Sequence, residues 1–191
     1  NVAELGLVIA VIAPKPDHPE YSLFNPKDFE QHIETTVKQV YGHEDYIYIG
    51  KASWNLPVNW KTINSIGIPS ISFEAIPENG GARYRVILIP ISHDRYLRVF
   101  FDFYKNVPGS FSDTEAMIDS TEMNALADNI VSSIQIALSE KAKAERQSIL
   151  DQFPDQTLSS YVPPYKFTTP EQDEQWKRYS KILEDAKKLS K

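Results

Sequence analysis

Alternation of apolar and polar residues is clearest in the middle of the chain. Apolar residues recur at every second position through 71–75, 84–88 and 97–103, which is the period of a strand with one buried face. The segments between these runs, 78–81 and 92–95, are rich in turn formers, and the first contains Asn-Gly, a hairpin signal. The pattern therefore predicts a β-meander of three antiparallel strands.

A helical period precedes the meander. Asn25 is a typical N-cap, Pro26 suits the first helical position, and Phe24 with Phe29 forms a hydrophobic staple. Apolar residues continue at spacings of three and four until Tyr41. These signals predict a helix over 26–41 that lies on the sheet.

Two helical patterns follow the meander. Apolar residues from Met123 to Leu138 predict one long helix over 121–138, continued by a charged part over 140–147 that projects beyond the core. Segment 153–167 contains three prolines and reads as an extended linker. After it, Thr169 and Gln172 match a capping box that begins an amphipathic helix.

These elements predict an α+β fold, with helices packed on an antiparallel sheet and a C-terminal helical arm. The α+β domain is expected to cover 1–147. The extended linker and C-terminal helix, 148–191, are expected to pack on that domain or on a partner. A homodimer through the C-terminal helix is one form of the second arrangement.

The apolar run 5–13 has two interpretations. Its nine residues are rich in Val and Ile, which predicts a buried strand. The alternative is the tail of a trimmed secretion signal. A bilayer span needs about 20 apolar residues, so no transmembrane segment is predicted here.

Four charged residues of the meander are expected to share one sheet face. They are Glu74, Arg85, Arg98 and Asp102. They could form a recognition patch for a partner or a cross-strand charge ladder. The same face carries several apolar residues, so we expect a helix, the C-terminal segment or a partner to cover part of it.

Aromatic residues cluster just before the meander. Trp54 and Trp60 flank Pro57, and Tyr46 and Tyr48 precede them. Trp and Tyr are enriched in binding hot spots, but a small α+β core uses the same residues to fill space. The segment itself is predicted to be a loop or an edge strand because proline interrupts it.

The composition of the chain argues against several classes of function. The 191 residues include no cysteine, and 26 acidic residues outnumber 20 basic ones, which argues against nucleic-acid binding through bulk charge. Phosphate-binding, nucleophile-elbow and zinc-helix motifs are absent from the sequence. His43 and His93 each precede a carboxylate and are interpreted as loop and turn residues. We therefore predict no catalytic residues, metal or cofactor.

Part of the chain resembles two known families. After the meander come Asn106-Val107-Pro108-Gly109, an acidic helix start at 119–123, and the segment 127–134 with the pattern I-V-x-S-I. This order, over about 71–138, resembles bacterial periplasmic immunity proteins that neutralise type VI secretion lipase effectors. It is also similar to extracytoplasmic domains of the Mog1/PsbP kind. The resemblance implies a non-catalytic protein that binds another protein outside the cytoplasm.

The function expected from all of this is protein binding. The protein is predicted to be a non-enzymatic module, exported or periplasmic, that neutralises a secreted toxin or effector. Its candidate partner-binding residues are Trp54, Trp60, Arg85, Arg98 and Asp102. The alternatives are a small-molecule or lipid carrier and an enzyme without a recognisable motif, and the alternative location is cytoplasmic.

Overall fold

The computed structural model describes residues 2–14, 21–43, 47–64, 67–78, 82–107 and 111–189. Its elements, in chain order, are β1 (Ala3–Ile12), α1 (Pro26–Tyr41), β2 (Ile47–Tyr48), β3 (Lys51–Ala52), β4 (Trp54–Ile63), β5 (Ser70–Pro77), β6 (Arg83–Ser92), β7 (Arg95–Lys105), α2 (Phe111–Met117), α3 (Thr121–Ser133), α4 (Glu140–Gln152) and α5 (Pro170–Leu189).

Five strands form one antiparallel sheet in the order β1–β7–β6–β5–β4, and β2 pairs with β3 separately. The predicted meander and the α+β class are confirmed. Strand β4 lies at one edge of the sheet, as the proline-interrupted pattern predicts, and β1 forms the other edge by pairing with β7. Residues 79–81 of the predicted first turn lie outside the described residues.

Each sheet face has its own apolar cluster. The face under α1, called the α1 face, buries Phe29, Ile33, Phe73, Val86, Tyr96 and other residues. The opposite face, called the α3 face, buries Ile87, Ile89, Val99, Phe101 and Phe103 against Ala127 of α3. The apolar residues on the second face thus have the cover that the sequence predicts for them.

Local signals determine the start of α1. The Asn25 Oδ1 atom accepts a hydrogen bond from the Lys27 N–H at 3.1 Å, and the helix begins at Pro26 as predicted. Phe24 and Phe29 are both buried, as a hydrophobic staple requires. The helix ends at Tyr41, and the Gly42 N–H donates to the Lys38 carbonyl at 3.0 Å.

The pairing of β6 with β7 corrects the predicted face of every β7 residue. Ser92 pairs with Arg95 next to the turn, but Pro90 pairs with Tyr96, so Ile91 is one extra residue on β6. Such a bulge shifts the register by one, which moves each side chain to the other face. Proline cannot donate to the ladder and is tolerated at a bulge.

The predicted helix over 121–138 is wrong in its length. Helix α3 ends at Ser133, and Ile134 is extended, with φ −66° and ψ 126°. Ile134 and Ile136 then alternate towards the α3-face cluster, a two-residue period that suits extended backbone. A new helix, α4, begins after Ser139, whose hydroxyl accepts from the Ala142 N–H.

The segment after α4 packs along the α1 face. Leu158 is 6% exposed, the Trp60 indole donates to the Ser159 carbonyl at 2.8 Å, and the Tyr165 N–H donates to the Leu56 carbonyl at 2.8 Å. The predicted linker is therefore attached to the sheet. The predicted boundary at residue 147 falls inside α4 and stays a prediction.

Helix α5 begins with the predicted capping box. The Thr169 hydroxyl accepts from the Gln172 N–H at 3.3 Å, and the Gln172 side chain accepts from the Thr169 N–H at 2.8 Å. The helix approaches β3 at Gly50, whose φ is +79°, and any β-carbon there would overlap the Gln172 carbonyl. Glycine is required at this position because of both constraints.

The cap of α1 gives a stability prediction. Asn25→Ala is expected to lower the free energy of unfolding by about 1 kcal/mol, because the Lys27 N–H loses its acceptor. Urea denaturation would measure the change. Asn129→Ala, on the exposed surface of α3, is the control and should leave stability unchanged or raise it slightly, because alanine is the better helix former. Equal effects of the two substitutions would contradict the capping role.

Candidate functional site

Arg85 belongs to a charged network between the sheet and α3. Its guanidinium donates to Asp128 at 2.6 Å and to Asn124 at 3.1 Å. Neighbouring Arg83 donates to Glu74 at 2.6 Å and to the same Asn124 oxygen at 2.8 Å. Two guanidinium groups thus match two carboxylates, and the network attaches α3 to the strands. Arg83, which sequence reasoning did not select, is 8% exposed.

Arg98 and Asp102 do not share a face with Glu74 and Arg85, so that prediction is wrong. The register places Arg98 opposite Leu88, and Asp102 opposite Tyr84, on the α1 face. The physical reason is the extra residue Ile91, described above. Of the predicted charge ladder, only Glu74 opposite Arg85 lies across neighbouring strands of one face.

The two tryptophans lie within the α1-face cluster. Trp60 is 7% exposed and stacks on Phe73 with ring centroids 6.0 Å apart. Trp54 stacks on Tyr84 at 5.0 Å and meets Tyr41 edge-on at 5.5 Å. These contacts give both indoles a packing role inside the molecule. Their predicted role in partner contact stays a prediction, and Tyr46 lies outside the described residues.

Strand β1 exposes a row of large aliphatic side chains. The exposed fractions are 43% for Leu7, 52% for Val8, 57% for Ile9 and 58% for Val11. The apolar run 5–13 predicts a buried strand; the strand is present, but its burial is contradicted. These side chains are exposed because β1 lies at the edge of the sheet, with one neighbouring strand in the described chain. The buried clusters under α1 and α3 centre on the inner strands.

The free edge of β1 has a defined pattern of backbone groups. The Asn106 N–H donates to the Val2 carbonyl at 2.9 Å, and the pairing with β7 continues without a register shift. Hydrogen-bonded pairs alternate in an antiparallel ladder, so even-numbered residues of β1 bond to β7. The N–H and C=O groups of the odd-numbered residues point away from the sheet: Ala3, Leu5, Leu7, Ile9 and Val11.

The two edges of the sheet differ in protection. Proteins usually block an edge strand with charges, proline, bulges or a covering segment. Strand β4 contains Pro57 and two register shifts, and Tyr165 bonds to its Leu56 carbonyl. Strand β1 contains no proline and no register shift, and Glu4 is its single charged residue. The β1 edge is therefore the candidate interaction surface.

One histidine–carboxylate contact bears on the enzyme alternative. His93 Nδ1 lies 3.2 Å from Glu145 Oε1, which joins the β6–β7 turn to α4. The nearby Ser92 hydroxyl donates to Asp94 at 2.7 Å rather than to His93, and this bond is the main cause that lowers the pKa of Asp94. A nucleophile bonded to its base, the arrangement used in covalent catalysis, is not formed by these residues.

The described ranges also bear on two other kinds of site, a metal centre and a membrane span. No group of three or more His, Asp or Glu residues there could hold a metal ion. Among the described helices, none combines the length and apolar character needed to cross a membrane.

Comparisons with protein-family models, curated proteins and solved structures found no match to this chain. The resemblance to periplasmic immunity proteins and to Mog1/PsbP domains therefore stays a prediction.

Burial of Asp102 gives a pH-dependent prediction. Desolvation raises the pKa of its carboxyl group, and the buried Oδ1 atom has no hydrogen-bond partner in the described chain. Above its ordinary pKa, the folded state then holds the proton more tightly than the unfolded state, so stability falls as pH rises through the raised pKa. Asp102→Asn should raise the melting temperature at about pH 7, with a smaller gain at about pH 3.

The control substitution is expected to change the melting temperature in the opposite direction. Hydrogen bonds from Thr121 lower the pKa of Asp119, so Asp119→Ala should lower the melting temperature at neutral pH and matter less in acid. Thermal unfolding of both variants across this pH range tests the pair. A melting temperature of Asp102→Asn below that of the parent at neutral pH would refute the prediction.

Proposed function

We propose that the protein is a non-enzymatic protein-binding module that binds an extended segment of another protein along β1. The observation that carries this proposal is the β1 edge, which pairs with no other strand among the described residues and has exposed aliphatic side chains. In strand addition, main-chain hydrogen bonds supply affinity and alternate side chains supply specificity. The partner's segment would become the sixth strand of the sheet.

The edge has favourable backbone groups for this mode of binding. Five outward-facing residues each present one N–H and one C=O, and each bond formed contributes roughly 0.5–1.5 kcal/mol net. The exposed side chains lie on both faces: Leu7, Ile9 and Val11 on the α3 face and Val8 on the α1 face. A partner segment with aliphatic side chains on both of its faces would cover them.

Charge suggests the kind of partner. Strand β1 carries only Glu4, and the whole chain has a net charge of −6. A basic partner with Lys or Arg opposite Glu4 would be attracted during encounter and aligned on the edge. The proposed partner is therefore a basic protein with an aliphatic extended segment.

The biological role that we propose is the one implied by the resemblance of residues 71–138 to periplasmic immunity proteins. In that role, the protein is an exported or periplasmic immunity protein, and the captured segment belongs to a secreted toxin or effector. Occupation of β1 would hold that segment in a fixed strand and withhold it from its own fold or target. The compartment and the toxin are parts of the proposal.

A matched pair of substitutions tests the β1 edge. Ile9→Lys places a charge at the centre of the edge, whereas Ile182→Lys places the same charge at an exposed aliphatic position on α5, where Ile182 is 64% exposed. Proteins captured from the source organism would be identified, purified and titrated against each variant. Ile9→Lys should weaken binding by at least about tenfold, and Ile182→Lys should leave it nearly unchanged.

Hydrogen exchange supplies the second measurement. In the complex, the amides of Leu5, Leu7 and Ile9 should exchange more slowly than in the free protein, while those of Gly6 and Val8 already bond to β7 and should change less.

Three outcomes would overturn the proposal. One is equal binding by both lysine variants, and another is unchanged exchange along β1. A third is slower exchange at the odd-numbered amides with rising concentration of the purified protein alone, which would make the partner a second copy. Loss of self-association in Ile182→Lys alone would instead favour the predicted homodimer through α5.

A further inference from the structure

A second feature with binding chemistry is a cleft between α1 and the sheet. Its volume is about 100 Å³. The helix contributes apolar residues that include Val37 and Val40, together with the polar residues His32 and Thr36, and the residues from the strands include Val86, Arg98 and Phe100. Most of these side chains are apolar, and a guanidinium group is the single permanent charge among the described residues that line it.

The side chain of Arg98 is half-buried, and one edge of its guanidinium is shielded from water without a partner among the described residues. Its buried Nε atom makes no hydrogen bond, and no ion pair reaches the side chain from any described residue. A buried polar group is costly unless it is hydrogen-bonded, and the Arg98 Nε–H is buried beside an apolar cleft without an acceptor among the described residues. An anionic group in the cleft would accept its hydrogen bonds.

Among the described residues, no carboxylate is available to serve as this anionic group. The described lining contains neither Asp nor Glu. Asp102 lies on the same face of β7, but Phe100 stands between it and Arg98, and four residues of strand separate two Cα atoms by roughly 13 Å. Both groups keep a buried atom without a partner. An anion that binds Arg98 in this cleft would therefore come from outside the described residues.

The geometry points to a small-molecule site for a carboxylate with an apolar chain, a fatty acid being the chemical class. The carboxylate would lie against Arg98, which can donate two parallel hydrogen bonds to it. The hydrocarbon chain of the ligand would lie between Val37 of α1 and two residues of the sheet, Val86 and Phe100.

Size and shape limit the ligand. An apolar cavity of about 150 Å³ holds benzene, so the smaller volume of this open cleft takes a carboxylate and its first few carbons. Beyond them, Val40 is 47% exposed and lines the cleft. Val8 of β1 lies opposite Phe100 and is 52% exposed. These two valines offer apolar surface to the rest of a medium-length chain.

Octanoate is the probe for this site, and octan-1-ol is its uncharged match. Calorimetric titration of the full chain should detect octanoate binding with a dissociation constant below about 1 mM. Octanol should bind at least about tenfold more weakly, because it lacks the charge that Arg98 recognises. Inorganic phosphate should not compete, because it has no apolar chain.

Matched arginine variants test the role of Arg98. Arg98→Met keeps a long apolar side chain and should reduce octanoate affinity by at least about tenfold. Arg95→Met is the control: its guanidinium is on the same strand with a side chain 58% exposed, and it does not line the cleft. Octanoate should raise the melting temperature of the parent and of Arg95→Met, but not of Arg98→Met.

A second substitution keeps the test decisive if Arg98→Met does not fold. Val40→Trp narrows the mouth of the cleft and should weaken octanoate binding while Arg98 stays in place. Ile9→Lys, which alters the β1 edge on the opposite face, should bind octanoate like the parent, so this proposal and strand addition can fail separately. Absence of binding, or equal affinities for octanoate and octanol, would overturn the carboxylate site.

Discussion

The register between β6 and β7 determines which chemistry each side of the sheet receives. One extra residue, Ile91, shifts the ladder between Pro90 and the turn. Phe101 and Phe103 are thereby placed under α3, where the Arg83 guanidinium lies 4.1 Å from the centre of the Phe103 ring. The same shift places Arg98 under α1. Without the bulge, the faces of β7 would be exchanged and neither cluster would form as it does.

The uneven cover of the sheet follows from the order of its strands. The meander places β6 and β5 inside, and the two helices cover the inner strands because each face has its largest apolar area there. The segment after α4 returns to β4 and bonds to Leu56. The chain thus closes one edge with its own residues, and β1 keeps an open edge with exposed aliphatic side chains.

The sequence predicts the helix caps correctly, whereas it does not predict the end of α3 or the faces of the β7 side chains. The caps at Asn25 and Thr169 depend on residues within a few positions, so they predict the starts of α1 and α5. The faces of Arg98 and Asp102 depend on a bulge whose position is set by pairing across strands. Sequence composition also predicts that run 5–13 forms a strand, but its burial depends on which elements lie over it. The buried Nε–H of Arg98, which has no acceptor among the described residues, and the open β1 edge could therefore not be found from the pattern alone.

The two proposed sites lie on the neighbouring strands β1 and β7 and use different atoms. Strand addition uses outward amides of the odd-numbered residues of β1 and mainly side chains of the α3 face. The cleft uses Arg98 and Phe100 on the α1 face. Val8 is where the two approach each other, because it lies opposite Phe100 on the edge strand. A strand added to β1 would place its own side chain beside Val8 and extend the apolar wall of the cleft without contacting Arg98. If binding at one site changes affinity at the other, the change would therefore come from contacts with the hydrocarbon chain of the ligand. The contact between the ligand carboxylate and the Arg98 guanidinium would be unaffected.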